Sequence, residues 1–139
     1  MTDFDAALAA MVASLAAQLP GRHVQRSLVD PANETATRLT AGVICLVSEG
    51  GGQFANYRGR EGELGRLNVR VVGFVQVAEA AEAVAVESAE LALLRDVLGW
   101  VNAPTVHPGV DFIEPGDFAQ SRQLEHPYGW VTLALTVRP

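Results

Sequence analysis

Between Arg66 and Val77 hydrophobic and polar positions alternate, with Leu67, Val69, Val71, Val75 and Val77 on one face and Arg66, Asn68, Arg70 and Gln76 on the other. A period of two is that of a half-buried strand, and this is the clearest strand in the chain. Val72 and Phe74 interrupt the polar face, so the strand is expected to begin exposed or at an interface and to finish under a helix. Gly73, on the apolar face, leaves room for close packing or a bend. Trp130 to Arg138 alternates in the same way, setting Val131, Leu133, Leu135 and Val137 against Thr132, Ala134 and Thr136. Gly42 to Ser48 is apolar without a break, as in a strand buried on both faces, and Gly50-Gly51-Gly52 is expected to end it.

Spacings of three and four mark two helices. Phe4, Leu8, Met11, Val12, Leu15 and Leu19 share one face of a helix that Asp3 can cap and Pro20-Gly21 ends. Ala80 to Val101 is the second, with Val84, Leu91, Leu94, Leu98 and Val101 as its expected buried stripe. Its acids Glu82, Glu87 and Glu90 lie early, where the helix dipole favours them. Val24 and Leu28 suggest a short strand, and Asp30-Pro31 opens a short helix expected to reach about Leu39. Asn102 to Pro108 is read as a loop and Phe112-Ile113 as a short apolar segment. A turn at Glu114-Pro115-Gly116 then leads into a candidate strand from Asp117 to Leu124. The expected fold class is α+β: one domain with a mainly antiparallel sheet and two longer helices packed on one face.

Composition narrows the class. A chain of 139 residues, 49% hydrophobic and 19% charged, is too apolar for disorder, and it lacks the apolar run of about 18 residues that a membrane span needs. Asp3 and Asp5 stand where a secretion signal would carry positive charge, which argues against reading the alanine-rich start as a leader. The single cysteine, Cys45, excludes an internal disulfide and is expected to be a buried hydrophobe, in keeping with a reducing cytosolic setting. The net charge of -6 is uneven: Arg22 to Arg70 holds seven arginines against five acids, whereas Val71 onward holds three against nine. Such asymmetry could steer a head-to-tail association, or it could be a solvated surface. Nucleic acid is disfavoured as a partner, because the chain is acidic and contains no lysine.

Searching for chemistry yields little. A phosphate loop needs Gly-Lys-Ser or Gly-Lys-Thr, and the Gly50 to Ala55 run fits only a loose form of the dinucleotide fingerprint, with no long helix after it. His23, His107 and His126 are scattered, two of them before prolines in predicted loops, so no zinc site is expected. Asp111, Glu114 and Asp117 do not match the spacing of a calcium loop. No nucleophile stands beside a base, and Glu87 and Glu90 read as an exposed helix face. The expectation is a protein without enzymatic activity, metal or cofactor.

What remains is the segment from Gly50 to Gly65, whose glycines carry Phe54, Tyr57, Arg58 and Arg60, residue types enriched at interface hot spots. Phe54 and Tyr57 either meet another surface or fold back as loop anchors. Phe54-Ala-Asn-Tyr-Arg-Gly-Arg-Glu-Gly, the strand from Arg66, the helix with Ala89-Glu-Leu-Ala-Leu-Leu-Arg-Asp-Val-Leu and the final Tyr128-Gly-Trp-Val-Thr-Leu-Ala-Leu-Thr-Val resemble the small tail proteins of Mu-like and lambda-like phages. In length and element order the chain is similar to the tail-terminator, or minor tail protein U-like, group. That resemblance implies a structural protein of the virion tail, assembled in the bacterial cytoplasm. It would cap the tail tube as a homo-oligomeric ring, usually a hexamer, and present a surface to the head connector. It further implies an assembly interface of Phe54, Asn56, Tyr57, Arg58 and Arg60, extended along the strand by Arg66 and Arg70. Another head-to-tail joining or tail-tube component, or a small-molecule-binding or enzymatic α+β domain, are the alternatives.

Overall fold

The computed structural model describes residues 3–54, 65–103 and 110–138, with Phe54 described by its backbone alone. The elements are α1 (Phe4–Gln18), β1 (His23–Gln25), a 3-10 turn (Pro31–Asn33), α2 (Ala36–Ala41), β2 (Val43–Phe54), β3 (Gly65–Gln76), α3 (Ala83–Val101), β4 (Phe112–Gln120) and β5 (Tyr128–Arg138). The strands form one sheet in the order β1-β2-β3-β5-β4, antiparallel except for the parallel pair β1 and β2. The fold is α+β.

Alternation along β3 and β5 decides which face is covered. Leu67, Val69, Val71 and Val75 lie beside Val131, Leu133, Leu135 and Val137, all buried, and α1 and α3 close over them with Leu8, Met11, Leu15, Leu93, Leu94, Val97 and Trp100. On the opposite face, among the described residues, a smaller cluster covers one end, where Leu39 of α2 packs on Val43 and Cys45 with Val29, Val72 and Phe74. This is why Val72 and Phe74 break the polar side of β3. Gly73 sits under α3 so closely that a Cβ there would lie 2.6 Å from Leu93 Cδ2.

Helix ends follow from local chemistry. Asp3 Oδ1 accepts the Ala6 N–H at 2.9 Å and caps α1, a contact of the kind worth about 1 kcal/mol. Thr35 Oγ1 accepts the Arg38 N–H at 3.3 Å and opens α2, which stops at Gly42 with φ +93°, a left-handed conformation that glycine adopts without strain. Arg22 lies against Gly42, donates to the Ala41 carbonyl and clasps Asp96 of α3 at 2.8 Å.

Several expectations need correcting. The helix expected from Pro31 to Leu39 is divided into a 3-10 turn and α2, because Glu34 and Thr35 take extended backbone and Thr35 serves as a new cap. Leu28 belongs to no strand and is 61% exposed. β2 does not end at the glycines: it runs through Gly50-Gly51-Gly52 to Phe54, with a bulge between Ser48 and Gly52 that absorbs the extra residues. β4 likewise continues through Glu114-Pro115-Gly116, shifting register between Pro115 and Phe118, and Leu124 lies beyond it, exposed. An edge strand tolerates proline because one side of it needs no partner.

The buried stripe of α3 is rotated from its expected position. Val86, Glu90, Leu93, Leu94, Val97, Trp100 and Val101 face the sheet, whereas Val84 and Leu91 are exposed. The reason is Glu90: the hydrophobic stripe contains a carboxylate, and placing that carboxylate on the surface turns the whole helix the wrong way.

Candidate assembly surface

The proposed contact residues begin at one end of the sheet. Phe54 and Gln53 of β2 pair with Gly65 and Arg66 of β3, and Leu67 pairs with Val137 of β5, so Arg66 lies level with Arg138 and Phe112 at that end. Arg66 is exposed there. After the bulge, a Cβ on Gly52 would collide with the Arg66 carbonyl, so the close approach of the two strands requires glycine. Phe54 closes β2 opposite Gly65. Asn56, Tyr57, Arg58 and Arg60 lie outside the described residues.

Arg70 differs from Arg66. It is half-buried, and its Nε donates to the Glu49 carboxylate, which the bulge of β2 brings beside it. The structure therefore brings Arg66 and Arg70 onto one face of β3 but gives them different surroundings: Arg66 is exposed near the start of the strand and Arg70 braces the bulge.

The far edge of the sheet was not foreseen as a surface. β4 exposes Phe112 and Phe118 at 39% and 53%, together with Glu114 and Asp117, and Asp111 stands exposed just before it. The Arg138 guanidinium lies 5.7 Å from the centre of the Phe112 ring, a cation–π contact that orients the aromatic. Reading Glu114-Pro115-Gly116 as a turn hid this edge. Phe112 to Gln120 carries no alternation of apolar and polar residues that would have marked it as one strand.

Glu90 is the other residue that sequence reasoning placed wrongly. It is fully buried, and its carboxylate accepts the Ser121 hydroxyl at 2.5 Å, the Trp130 backbone N–H at 2.8 Å and the Gln120 amide at 3.2 Å. Three donors satisfy a charge that burial would otherwise make costly. A Cβ on Gly129 would come within 2.5 Å of Glu90 Oε2, so the carboxylate reaches the chain only over a glycine. Together these bonds tie the β4–β5 connection to α3. Nearby, His126 is half-buried rather than solvated, with Nε2 2.7 Å from the Ala81 carbonyl.

Cys45 is buried, and desolvation pushes its thiol up to about 11 against a lowering hydrogen bond from the Val29 backbone. That is the inert thiol expected of a small core residue. A cleft of about 280 Å³ opens between the Asp30-Pro31-Ala32 segment and Glu125 and Tyr128, at the opposite end of the sheet from Arg66. Among the described residues no helix is long and apolar enough to cross a membrane, and no three His, Cys, Asp or Glu side chains are grouped to hold a metal. The chain matches no model of a known protein family, and no curated protein matches it in sequence.

Proposed function

We propose that this chain is a structural tail protein of a phage or prophage that caps the tail tube as a ring, ends tube growth and forms the interface to the head connector. The observation that carries this reading is where β2 and β3 end. They stop at Phe54 and Gly65, on either side of the segment that resembles the tail-terminator loop, with Arg66 exposed beside them. A sheet that anchors both ends of a segment rich in aromatics and arginines suits a protein whose work is contact with neighbours. The charge asymmetry of the sequence adds to it, because a ring repeats one pair of unlike patches around its axis. The partners on this reading are further copies of the chain, the tail-tube protein and the head-completion protein, and no catalytic step is involved.

The test is tail assembly with purified components. The Tyr57→Ala, Arg58→Ala double variant should remain folded yet fail to cap tubes, so that tubes overgrow. Normal tube lengths with this variant, from a chain that stays monomeric beside tubes, would sink the reading. A different class of function, small-molecule binding, has the Asp30, Glu125 and Tyr128 cleft as its place, since two carboxylates and an aromatic ring suit a cationic ligand. It would be favoured by saturable binding of an organic cation that Glu125→Gln abolishes.

A further inference from the structure

We propose that successive copies of this chain join edge to edge, the outer edge of β4 in one copy pairing antiparallel with the part of β2 that β1 leaves uncovered in the next. The proposal deepens the ring reading and rests on it for closure. β1 is three residues long and pairs only with Val43–Cys45, so among the described residues no strand lies on the outer side of β2 from Leu46 onward. At the opposite side of the sheet β4, among the described residues, pairs with β5 alone. A sheet edge of this kind offers unpaired N–H and C=O groups to another strand.

Three features make a second copy the occupant. Direction is the first. β2 is antiparallel to β3, β3 to β5, and β5 to β4, so β2 and β4 run oppositely. A copy rotated about an axis along the strands keeps its helix-covered face on the same side and sets its β2 antiparallel to the first copy's β4, continuing the pairing already used throughout β2 to β4.

Height is the second. Across the sheet, Leu46 is level with Val71, Leu133 and Phe118, Ser48 with Val69, Leu135 and Pro115, and Gly52 with Leu67, Val137 and Ile113. The uncovered part of β2 and the outer edge of β4 thus span the same levels, and each carries one bulge, at Ser48/Gly52 and at Pro115/Phe118. Bulges blunt an edge against flat strands. Two edges interrupted at neighbouring levels suit each other better than either suits a regular strand.

Charge is the third. Glu114, Asp117 and Asp111 are exposed along β4. Glu114 is level with Thr136 and Asn68, on the same sheet face as Arg66. With β4 laid beside β2, Glu114 and Arg66 stand two strand spacings apart and two residues apart along the strands, roughly 12 Å between backbones, which their long side chains can bridge. Glu49, the acid on the β2 side, already faces Arg70.

The experiment is site-directed cross-linking of the purified full chain without tail components. Gln53 and Phe112 fall at one level, as do Ser48 and Pro115, and all four are exposed. Buried Cys45 stays out of exchange. Mixing Gln53→Cys chains with Phe112→Cys chains under mild oxidation should give a cross-linked dimer that neither variant gives alone. The Ser48→Cys and Pro115→Cys pair repeats the test at a second level should one substitution disturb folding, which circular dichroism reads directly. Cross-linking of Phe112→Cys chains to themselves, or no cross-link from either mixed pair at concentrations where folding is intact, overturns the proposal. Cross-linked rings that fail to stop tube growth would leave the pairing standing and remove the tail reading; capped tubes without the cross-link would do the reverse.

Discussion

The backbone N–H of Trp130 donates to the Glu90 carboxylate at 2.8 Å, and through that bond the first residues of β5 are fixed to the middle of α3. The same oxygen accepts the Ser121 hydroxyl, so both ends of the β4–β5 connection meet on one atom. Glu90→Ala would strand the Trp130 N–H and the Ser121 hydroxyl in a dry site and open a void. It should cost about 3 kcal/mol or more, given roughly 1–3 kcal/mol for each buried group left unpaired. Glu90→Gln keeps an acceptor for Trp130 and should cost distinctly less. Urea unfolding of both variants measures the difference, and equal losses would mean the hydrogen bonds are not what Glu90 contributes.

Gly73 and Gly129 are places where helix and sheet approach without room for a side chain. Gly73→Ala would push a methyl to 2.6 Å from Leu93 Cδ2 and 3.2 Å from Val131 Cγ1, both on fully packed residues, and should destabilise by about 1–3 kcal/mol through overpacking. Gly51 is the control, because a Cβ there meets nothing within 4 Å. Gly51→Ala should leave the urea midpoint almost unmoved.

The features that follow from alternation were legible in the sequence. β3 and β5 bury Leu67, Val69, Val71, Val131, Leu133, Leu135 and Val137 on the expected face of each strand, and Asp3 caps α1 as its position suggests. Where the reading failed, a long-range contact overrode a local signal. Glu90 belongs to the buried stripe only because Ser121 and Trp130, distant in sequence, supply its donors. Gly50-Gly51-Gly52 and Pro115-Gly116 look like chain breaks, yet pairing with β3 and β5 carries both strands through them as bulges. Of the proposed contact residues, Arg66 and Arg70 share a face as alternation requires, but nothing local distinguishes them: Arg70 meets Glu49, delivered by the bulge.

Cys45 gives a pH dependence whose sign is fixed by burial. Its folded-state pKa is raised from 9.0 to about 11, so the folded chain holds the thiol proton more tightly than the unfolded chain does. The resulting stability is fully present below about pH 9 and is lost as pH rises from 9 towards 11, where the unfolded chain gives up its proton first. Unfolding free energies of the wild type and Cys45→Ala, measured across that window, should converge as pH rises. A constant gap would contradict the shift. In native buffer at neutral pH the thiol should react with an aromatic disulfide only as fast as the chain unfolds.

Arg66 and Arg70 should separate assembly from folding. Arg70 pairs with Glu49 at side-chain exposures of 33% and 31%, a partly solvated contact worth no more than about 1 kcal/mol. Arg70→Ala and Glu49→Ala should each lower stability by a fraction of that amount, and the double variant should lose little beyond either single one, since both remove the same interaction. Arg66, exposed near the start of β3, should behave in the opposite way: Arg66→Ala should leave the urea midpoint unchanged but weaken self-association, and added salt should weaken the wild type towards the same level. Sedimentation velocity across a salt series reads association, and urea unfolding reads stability. If Arg66→Ala associates as well as the wild type at low salt, this end of β3 is not a charged contact, and Arg66 loses its place in the proposed assembly surface.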